Sequence, residues 1–152
     1  MDVSSNEPLE RWKRSYAGLV QEGKLNTADA ERKLRLAEKN LARAGRNLDG
    51  DPDEALINAE TAMVNAADAV LAAAGFRIRG KTGSHQARLA YPGLPGEFRD
   101  QADRLARARE LRGRAMYDQA DVVAKDEARE LVRLAAQLVE AARRHLSSKT
   151  AP

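Results

Sequence analysis

The sequence predicts an all-α protein, an antiparallel bundle of four core helices with a short additional helix at its N-terminus. Apolar residues recur at steps of three and four over long segments, as they do on one face of an α-helix. The chain is 43% hydrophobic and 32% charged but only 4% aromatic, a composition typical of helical bundles. Its five prolines lie outside the periodic segments or in a first turn, where they leave a helix intact.

The length of 152 residues fits one domain, with its core expected over about residues 27–146. The short first helix is expected at about 7–21, where Leu9, Trp12 and Tyr16 follow one another at helical spacing. It should pack on the side of the bundle. No segment alternates polar and apolar residues in the way that predicts a strand.

The second helix is predicted to start at Asn26 or Thr27, both suitable caps, and to end near residue 47. Its apolar residues alternate steps of four and three, which predicts a seam against a neighbouring helix. The seam consists of Ala30, Leu34, Ala37, Leu41, Ala44 and Leu48.

The third helix, about residues 52–74, is predicted to be the central one because its apolar face is the widest. Asp51 is the expected N-cap and Pro52 occupies the first turn, while Gly75 suits the position after the last turn. The apolar face contains Leu56, Ala59, Met63, Ala66, Ala67, Val70, Leu71 and Ala74.

A long segment without helical periodicity follows at 76–96, with a turn or two of helix expected within it at 85–91. Segments of this kind in compact domains are usually functional. The fourth helix is predicted at about 97–117. The fifth, at about 121–146, completes the core with an apolar stripe that runs from Ala128 to Leu146.

Positive charge is concentrated between residues 76 and 117, which contain ten basic and four acidic residues, while the whole chain has a net charge of +3. A focused basic segment predicts an anionic partner, either a nucleic acid or an acidic protein. The same arginines also fit a solvated helix face, because Asp103–Arg107 and Glu110–Arg114 have the spacing of helical ion pairs.

Residues 75–82 match the spacing G-x-x-x-x-G-K-[ST] of phosphate-binding loops. Such a loop follows a strand and opens a helix, so that backbone N–H groups surround the phosphates. Here a helix is predicted before the match and the segment after it breaks at Pro92. The sequence therefore predicts a basic loop and not a nucleotide hydrolase.

The end of the fourth helix carries Arg112, Gly113 and Tyr117, followed by Asp118. Together with the order of the helices, this stretch resembles the HEPN superfamily, whose signature is Arg, usually Asn, three further residues, then His. Gly113 stands in place of the polar second residue and Tyr117 in place of the His. The resemblance spans roughly residues 27–146 and implies a metal-independent ribonuclease site at a cleft between two protomers.

In that implied chemistry Arg112 holds the phosphate and the residue at 117 moves the proton. Tyrosine has a pKa of about 10 and is a poor base at neutral pH. His85, in the basic loop, is the candidate replacement if the loop folds over Arg112. The predicted catalytic residues are thus Arg112, Tyr117 and His85, and the predicted contacts with nucleic acid are Arg77, Arg79, Lys81, Arg109 and Arg114.

Three functions remain open: a ribonuclease of a toxin–antitoxin or defence system, an RNA-binding domain without catalysis, and an adaptor for an acidic protein. RNA, an antitoxin or another protein, and a second copy of the chain are the expected partners. No cofactor or metal is expected. The sequence has no cysteine and no apolar run of the roughly 20 residues that a membrane helix needs, which predicts a cytoplasmic protein.

Overall fold

A computed structural model describes residues 7–117 and 121–150 and confirms the predicted all-α fold. Within these ranges the chain forms seven helices and one pair of short strands. In chain order the elements are α1 (Glu7–Ser15), β1 (Val20–Glu22), α2 (Thr27–Asn47), α3 (Pro52–Ala73), β2 (Phe76–Ile78), α4 (Ser84–Leu89), α5 (Gly96–Asp100), α6 (Ala102–Tyr117) and α7 (Lys125–Thr150). Asp118 lies outside the described residues.

The predicted starts of α2 and α3 are confirmed. The side chain of Asn26 accepts a hydrogen bond from the backbone N–H of Asp29 at 2.9 Å. Asp51 does the same for Glu54 at 3.2 Å, with Pro52 in the first turn. Each cap satisfies one of the N–H groups that a helix start leaves without a partner.

Helix α3 lies at the centre of the core, as predicted, and packs against α2, α6 and α7. Its inner residues, among them Leu56, Met63 and Val70, are at most 2% exposed. The α2 seam buries three alanines seven residues apart, and such small side chains suit the close packing of α2 on α3. The three are Ala30, Ala37 and Ala44, each at most 1% exposed.

The strand pair was not predicted, and it corrects the end of the first helix from about residue 21 to Ser15. β1 and β2 pair antiparallel, with Val20 opposite Ile78. Three residues a strand are too few for alternation to be recognised in the sequence. The pairing depends on tertiary contact instead: Gly75 has a φ of +89°, and a Cβ on it would lie 2.6 Å from the Gly23 carbonyl oxygen.

The predicted fourth helix is two helices, because Gln101 leaves the helical conformation with φ −109° and ψ 19°. Phe98, at 1% exposure, anchors the short α5 in the core, while α6 packs separately against α3. The predicted fifth helix begins at Lys125, not near residue 121. Before it, the Asp53 carboxylate accepts backbone N–H bonds from residues 121, 122 and 123 at 2.7–3.4 Å.

Helix α4 is held in place by Trp12 from α1. The indole Nε1 donates a hydrogen bond to the Ala87 carbonyl at 2.8 Å, and the indole packs against Phe76 and Tyr91 with ring centroids 5.2 and 4.9 Å away. This cluster fixes the segment that carries His85. Among the described residues, no helix combines the length and hydropathy of a membrane span.

We expect Trp12→Phe to lower the free energy of unfolding by about 1–2 kcal/mol, because the ring packing survives while the buried Ala87 carbonyl loses its donor. Denaturant titration followed by circular dichroism measures this change. The control is Tyr117→Phe, since Tyr117 is 81% exposed and its hydroxyl has no hydrogen bond to the described residues. If the two variants had equal free energies of unfolding, the hydrogen bond from Trp12 to the Ala87 carbonyl would not be stabilising.

Candidate nucleic-acid site

The site is organised by Glu60, a carboxylate on the inner face of α3 with 1% exposure, and the one buried charged residue in the described part of the chain. It lies among apolar side chains, between Leu56 and Met63 along the helix. A charge in such surroundings is tolerated only when it is paired and hydrogen-bonded. Glu60 therefore requires a cationic hydrogen-bond donor beside it.

Two arginines of α6 supply the partners. Arg109 Nη1 donates to Glu60 Oε1 at 3.2 Å, and Arg112 Nη1 donates to Oε2. The two are three residues apart and so share one face of α6, which is held against α3 by the buried Leu105 and Leu111. Their side chains are 49% and 25% exposed, so both arginines remain partly accessible to solvent.

His85 lies beside this cluster, at the first turn of α4. It lines the same small cavity as Glu60, together with Val64 of α3. Burial lowers the pKa of His85 below its ordinary value, and the charges of Arg109 and Arg88 lower it further, against an opposing effect of Glu60. Both ring nitrogens are buried without a hydrogen-bond partner among the described residues. The imidazole is therefore neutral at pH 7, and its role as a proton carrier stays a prediction.

Arg88 anchors α4 to α3 and does not add to the cluster's charge. Its Nε donates to Asp68 Oδ1 at 2.7 Å, with the two side chains only 11% and 20% exposed. The charges of Arg88 and Asp68 cancel each other. The pair also fixes the position of His85, which lies one helical turn before Arg88. Around Glu60, two arginines and one carboxylate leave a net charge of about +1.

The end of α6 is open to solvent. Tyr117 is 81% and Met116 44% exposed, and Met116 Sδ lies 3.2 Å from Arg112 Nε. A Cβ at Gly113 would meet no neighbouring atom within 4 Å, so the space beside this position is open. Arg114 is exposed and has no ion pair with a described residue.

The predicted basic residues of the loop lie elsewhere. Arg77 belongs to β2, and Arg79 and Lys81 follow it. α3 ends thirteen residues after Glu60, which places β2 about 20 Å away along the helix axis. In the described part of the chain, none of these three residues forms a hydrogen bond or an ion pair with the Glu60 cluster. The segment that matches the phosphate-loop spacing begins as a strand paired to β1, so its backbone does not form a phosphate cradle.

Of the predicted site residues, the structure thus brings His85, Arg109 and Arg112 together around Glu60. Glu60 itself was missed, because the third helix was interpreted from its apolar residues and a single acid among them belongs to no motif. Its position four residues after Leu56 and three before Met63 was the available signal. The predicted ion pairs of α6 are also different: Arg107 binds Glu110 and Glu127, and Arg104 binds Glu130 of α7.

We expect the free energy of unfolding to fall as the pH drops below 6.5, the ordinary pKa of the imidazole. Since His85 has a lowered pKa when folded, the unfolded chain takes up the proton first and acid favours unfolding. The contribution of His85 is fully present above pH 6.5 and is lost toward the lower folded pKa. His85→Gln should flatten the profile below pH 6.5.

Denaturant titrations across this pH range measure the effect. His145 also has a lowered pKa, caused first by burial and then by the charge of Lys149, so His145→Gln is the matched variant. Each substitution should make the dependence of the unfolding free energy on pH less steep, and the double variant should lose most of this dependence. A His85→Gln profile identical to wild type would contradict the buried, neutral histidine.

Comparison with known families places the chain in a described family. The family model described as the HEPN domain matches residues 30–145, a range that begins within α2, includes α3 and the whole Glu60 cluster, and ends within α7. No curated protein matches the chain.

Proposed function

The chain belongs to the HEPN domain family, and on that premise we propose that it binds RNA through the paired guanidinium groups of Arg109 and Arg112. The observation that carries this proposal is the buried Glu60, which accepts from both arginines. A buried ion pair seldom contributes more stability than apolar residues of the same volume. The buried carboxylate is therefore better explained by its holding the two arginines together than by stability alone.

The geometry suits a phosphate. An arginine has five N–H donors in a planar fork, and Glu60 takes one Nη1 contact from each residue. Both side chains are partly exposed, and the Nη donors that Glu60 does not use remain available to a ligand. Charge-assisted bonds of this type to phosphate oxygens are among the strongest in proteins. They fix the backbone of the RNA without reading its sequence.

We propose further that cleavage is slow or absent in this chain. Proton transfer by a positioned side chain contributes about 10²–10⁴-fold to such reactions. Tyr117 is a poor base at neutral pH, and the ring nitrogens of His85 are covered. Arg112 can hold a phosphate in this arrangement, while no other side chain near it within residues 7–117 and 121–150 is placed to take the 2′-hydroxyl proton.

We also propose that the chain acts as a homodimer, as the family resemblance implies. Met116 and Tyr117 offer an exposed apolar surface one turn beyond Arg112, where a second copy would cover both. Light scattering at high micromolar concentration should give twice the monomer mass, and Met116→Asp with Tyr117→Glu should reduce it. If wild type has the mass of a monomer, the proposal of a cleft shared between two protomers fails.

The proposed RNA function is tested by incubating wild type, Arg112→Ala and His85→Ala with total RNA in chelator. Wild type should bind at low salt, weaken as salt rises, and leave the RNA largely intact. Arg112→Ala should bind less tightly, while His85→Ala should bind as wild type does. If wild type neither binds nor cleaves RNA, an adaptor for an acidic protein becomes the better account.

A further inference from the structure

A second basic surface lies on α2, on the face opposite the alanine seam. It is defined here as the α2 row and consists of Arg32, Arg35, Lys39, Arg43 and Arg46, all of them exposed. Their spacing of three or four residues keeps them within an arc of about 80° and spreads them over about 21 Å of helix. The apolar side of α2 faces the core, so the row points directly into solvent.

Most of the α2 row is electrostatically unsatisfied. Arg32 pairs with Asp29, but the other four have no ion pair or side-chain hydrogen bond within residues 7–117 and 121–150. Like charges at this spacing destabilise a helix by roughly 0.2–0.5 kcal/mol a pair. By contrast, Arg104, Arg107, Arg109 and Arg112 of α6 are all paired.

The acids beside the row do not neutralise it. Glu38 forms an ion pair with Arg143 of α7 and not with the row. Glu31 lies on the same flank without an ion pair among the described residues. At the start of α2, the pKa of Asp29 is lowered first by its hydrogen bond with Arg32 and, more weakly, by the charge of Arg77 in β2. Arg77 therefore extends this surface and not the Glu60 cluster.

The two basic surfaces lie on different sides of the bundle. The Glu60 cluster is formed between α3 and α6, whereas α2 packs against α3 and α7 and turns the row away from them. RNA bound at one surface therefore leaves the other accessible. A chain with two such surfaces can hold one long RNA at two places or bridge two segments.

We propose that the α2 row is a second docking surface for the phosphate backbone of RNA. The inference rests on the proposed function in taking RNA as the partner, but it assigns a site that the function does not need. Row members follow each other at about 4.5–6 Å along the axis, and a nucleic-acid duplex carries a phosphate charge about every 2 Å. Each basic side chain of the row can therefore reach a phosphate wherever the RNA lies along the helix axis.

Other occupants fit less well. The cores of protein interfaces are apolar and depleted of charge, and Leu36, 44% exposed, is the one large apolar side chain exposed on this helix. A helix that binds a lipid surface needs a free apolar face, but that of α2 is buried against α3. The surface is suited to a polyanion recognised by charge alone.

The test compares two variants with the same change in charge. The row variant carries Arg35→Gln, Lys39→Gln, Arg43→Gln and Arg46→Gln. The control carries Arg11→Gln, Arg14→Gln, Arg129→Gln and Arg133→Gln, all outside both basic surfaces. RNA affinity is measured from 50 to 300 mM salt, after circular dichroism has shown both to be folded. Polyglutamate and vesicles of anionic lipid serve as the alternative anions.

The slope of log affinity against log salt should become shallower by about 0.7 for each lost contact with single-stranded RNA, so by roughly 3 in the row variant. The control should keep the wild-type slope within about 1 unit. A row variant with the slope and affinity of wild type overturns the proposal. So does wild type binding polyglutamate or vesicles as tightly as RNA.

The two proposals fail in different ways. If Arg112→Ala loses RNA while the row variant binds normally, the Glu60 cluster is the RNA site and the row is not. If the row variant loses RNA while Arg112→Ala binds normally, the row is the RNA site and the proposed function of the cluster fails. Absence of RNA binding by wild type at 50 mM salt overturns both.

Discussion

Arg112→Ala should weaken RNA binding roughly 10- to 100-fold, because a charge-assisted hydrogen bond to a phosphate contributes about 1.5–3 kcal/mol. The loss should be uniform across RNA sequences, since a backbone contact carries no base information. Fluorescence anisotropy with two unrelated labelled RNAs measures both features. The truncated side chain also leaves Glu60 with Arg109 alone, so folding is checked in parallel by denaturant titration.

The matched control is Arg104→Ala, which removes the same side chain from the same helix. Arg104 pairs with Glu130 of α7 at 3.0 Å and lies outside the Glu60 cluster. An exposed pair of this kind contributes little to stability, and its loss should change RNA affinity by less than about threefold. Equal losses in the two variants would mean that α6 contributes only its general charge.

Glu60→Gln should weaken RNA binding roughly tenfold, although it removes a negative charge from beneath the site. Simple electrostatics predicts the opposite sign, because a carboxylate repels phosphate. The expected loss arises because the amide accepts only one strong contact and presents its NH₂ to a guanidinium, so Arg109 and Arg112 are no longer held together. The free energy of unfolding should fall by about 2 kcal/mol. This is less than the usual cost of breaking a buried ion pair, because both arginines can turn into solvent.

Glu110→Gln is the control for the carboxylate. Glu110 lies on α6 with 59% exposure and pairs with Arg107, so its removal changes charge without changing the cluster. Its RNA affinity should rise slightly or stay constant. Tighter RNA binding by Glu60→Gln would show that the buried carboxylate opposes the ligand and does not position the arginines.

The core of the fold could be predicted because its signals are local and repeated. The apolar periods of α2, α3 and α7 extend over six or seven turns, and the caps Asn26 and Asp51 mark two of the starts. The parts that were missed depend on contacts distant in sequence. β1 and β2 exist because Gly75 lets the chain after α3 return past Gly23, and no window of three residues can encode that pairing.

The same distinction applies to the site. Arg112 stands within a recognisable motif, and its position on α6 follows from the helix period. Glu60 carries no motif, and its importance becomes visible only when α6 is packed on α3. The basic loop was grouped with Arg112 by charge alone, but β2 holds Arg77 at the far end of α3, next to the start of α2.

The account's central claim is that RNA lies against the Glu60 cluster. Photo-crosslinking tests it most directly: wild type is bound to RNA containing 4-thiouridine, irradiated, digested and analysed by mass spectrometry. We expect crosslinked peptides from α6 around Arg109 and Arg112 and from α4 around His85, and we expect the α6 crosslinks to disappear in Arg112→Ala. Crosslinks confined to other elements, with none in α6, would contradict the claim.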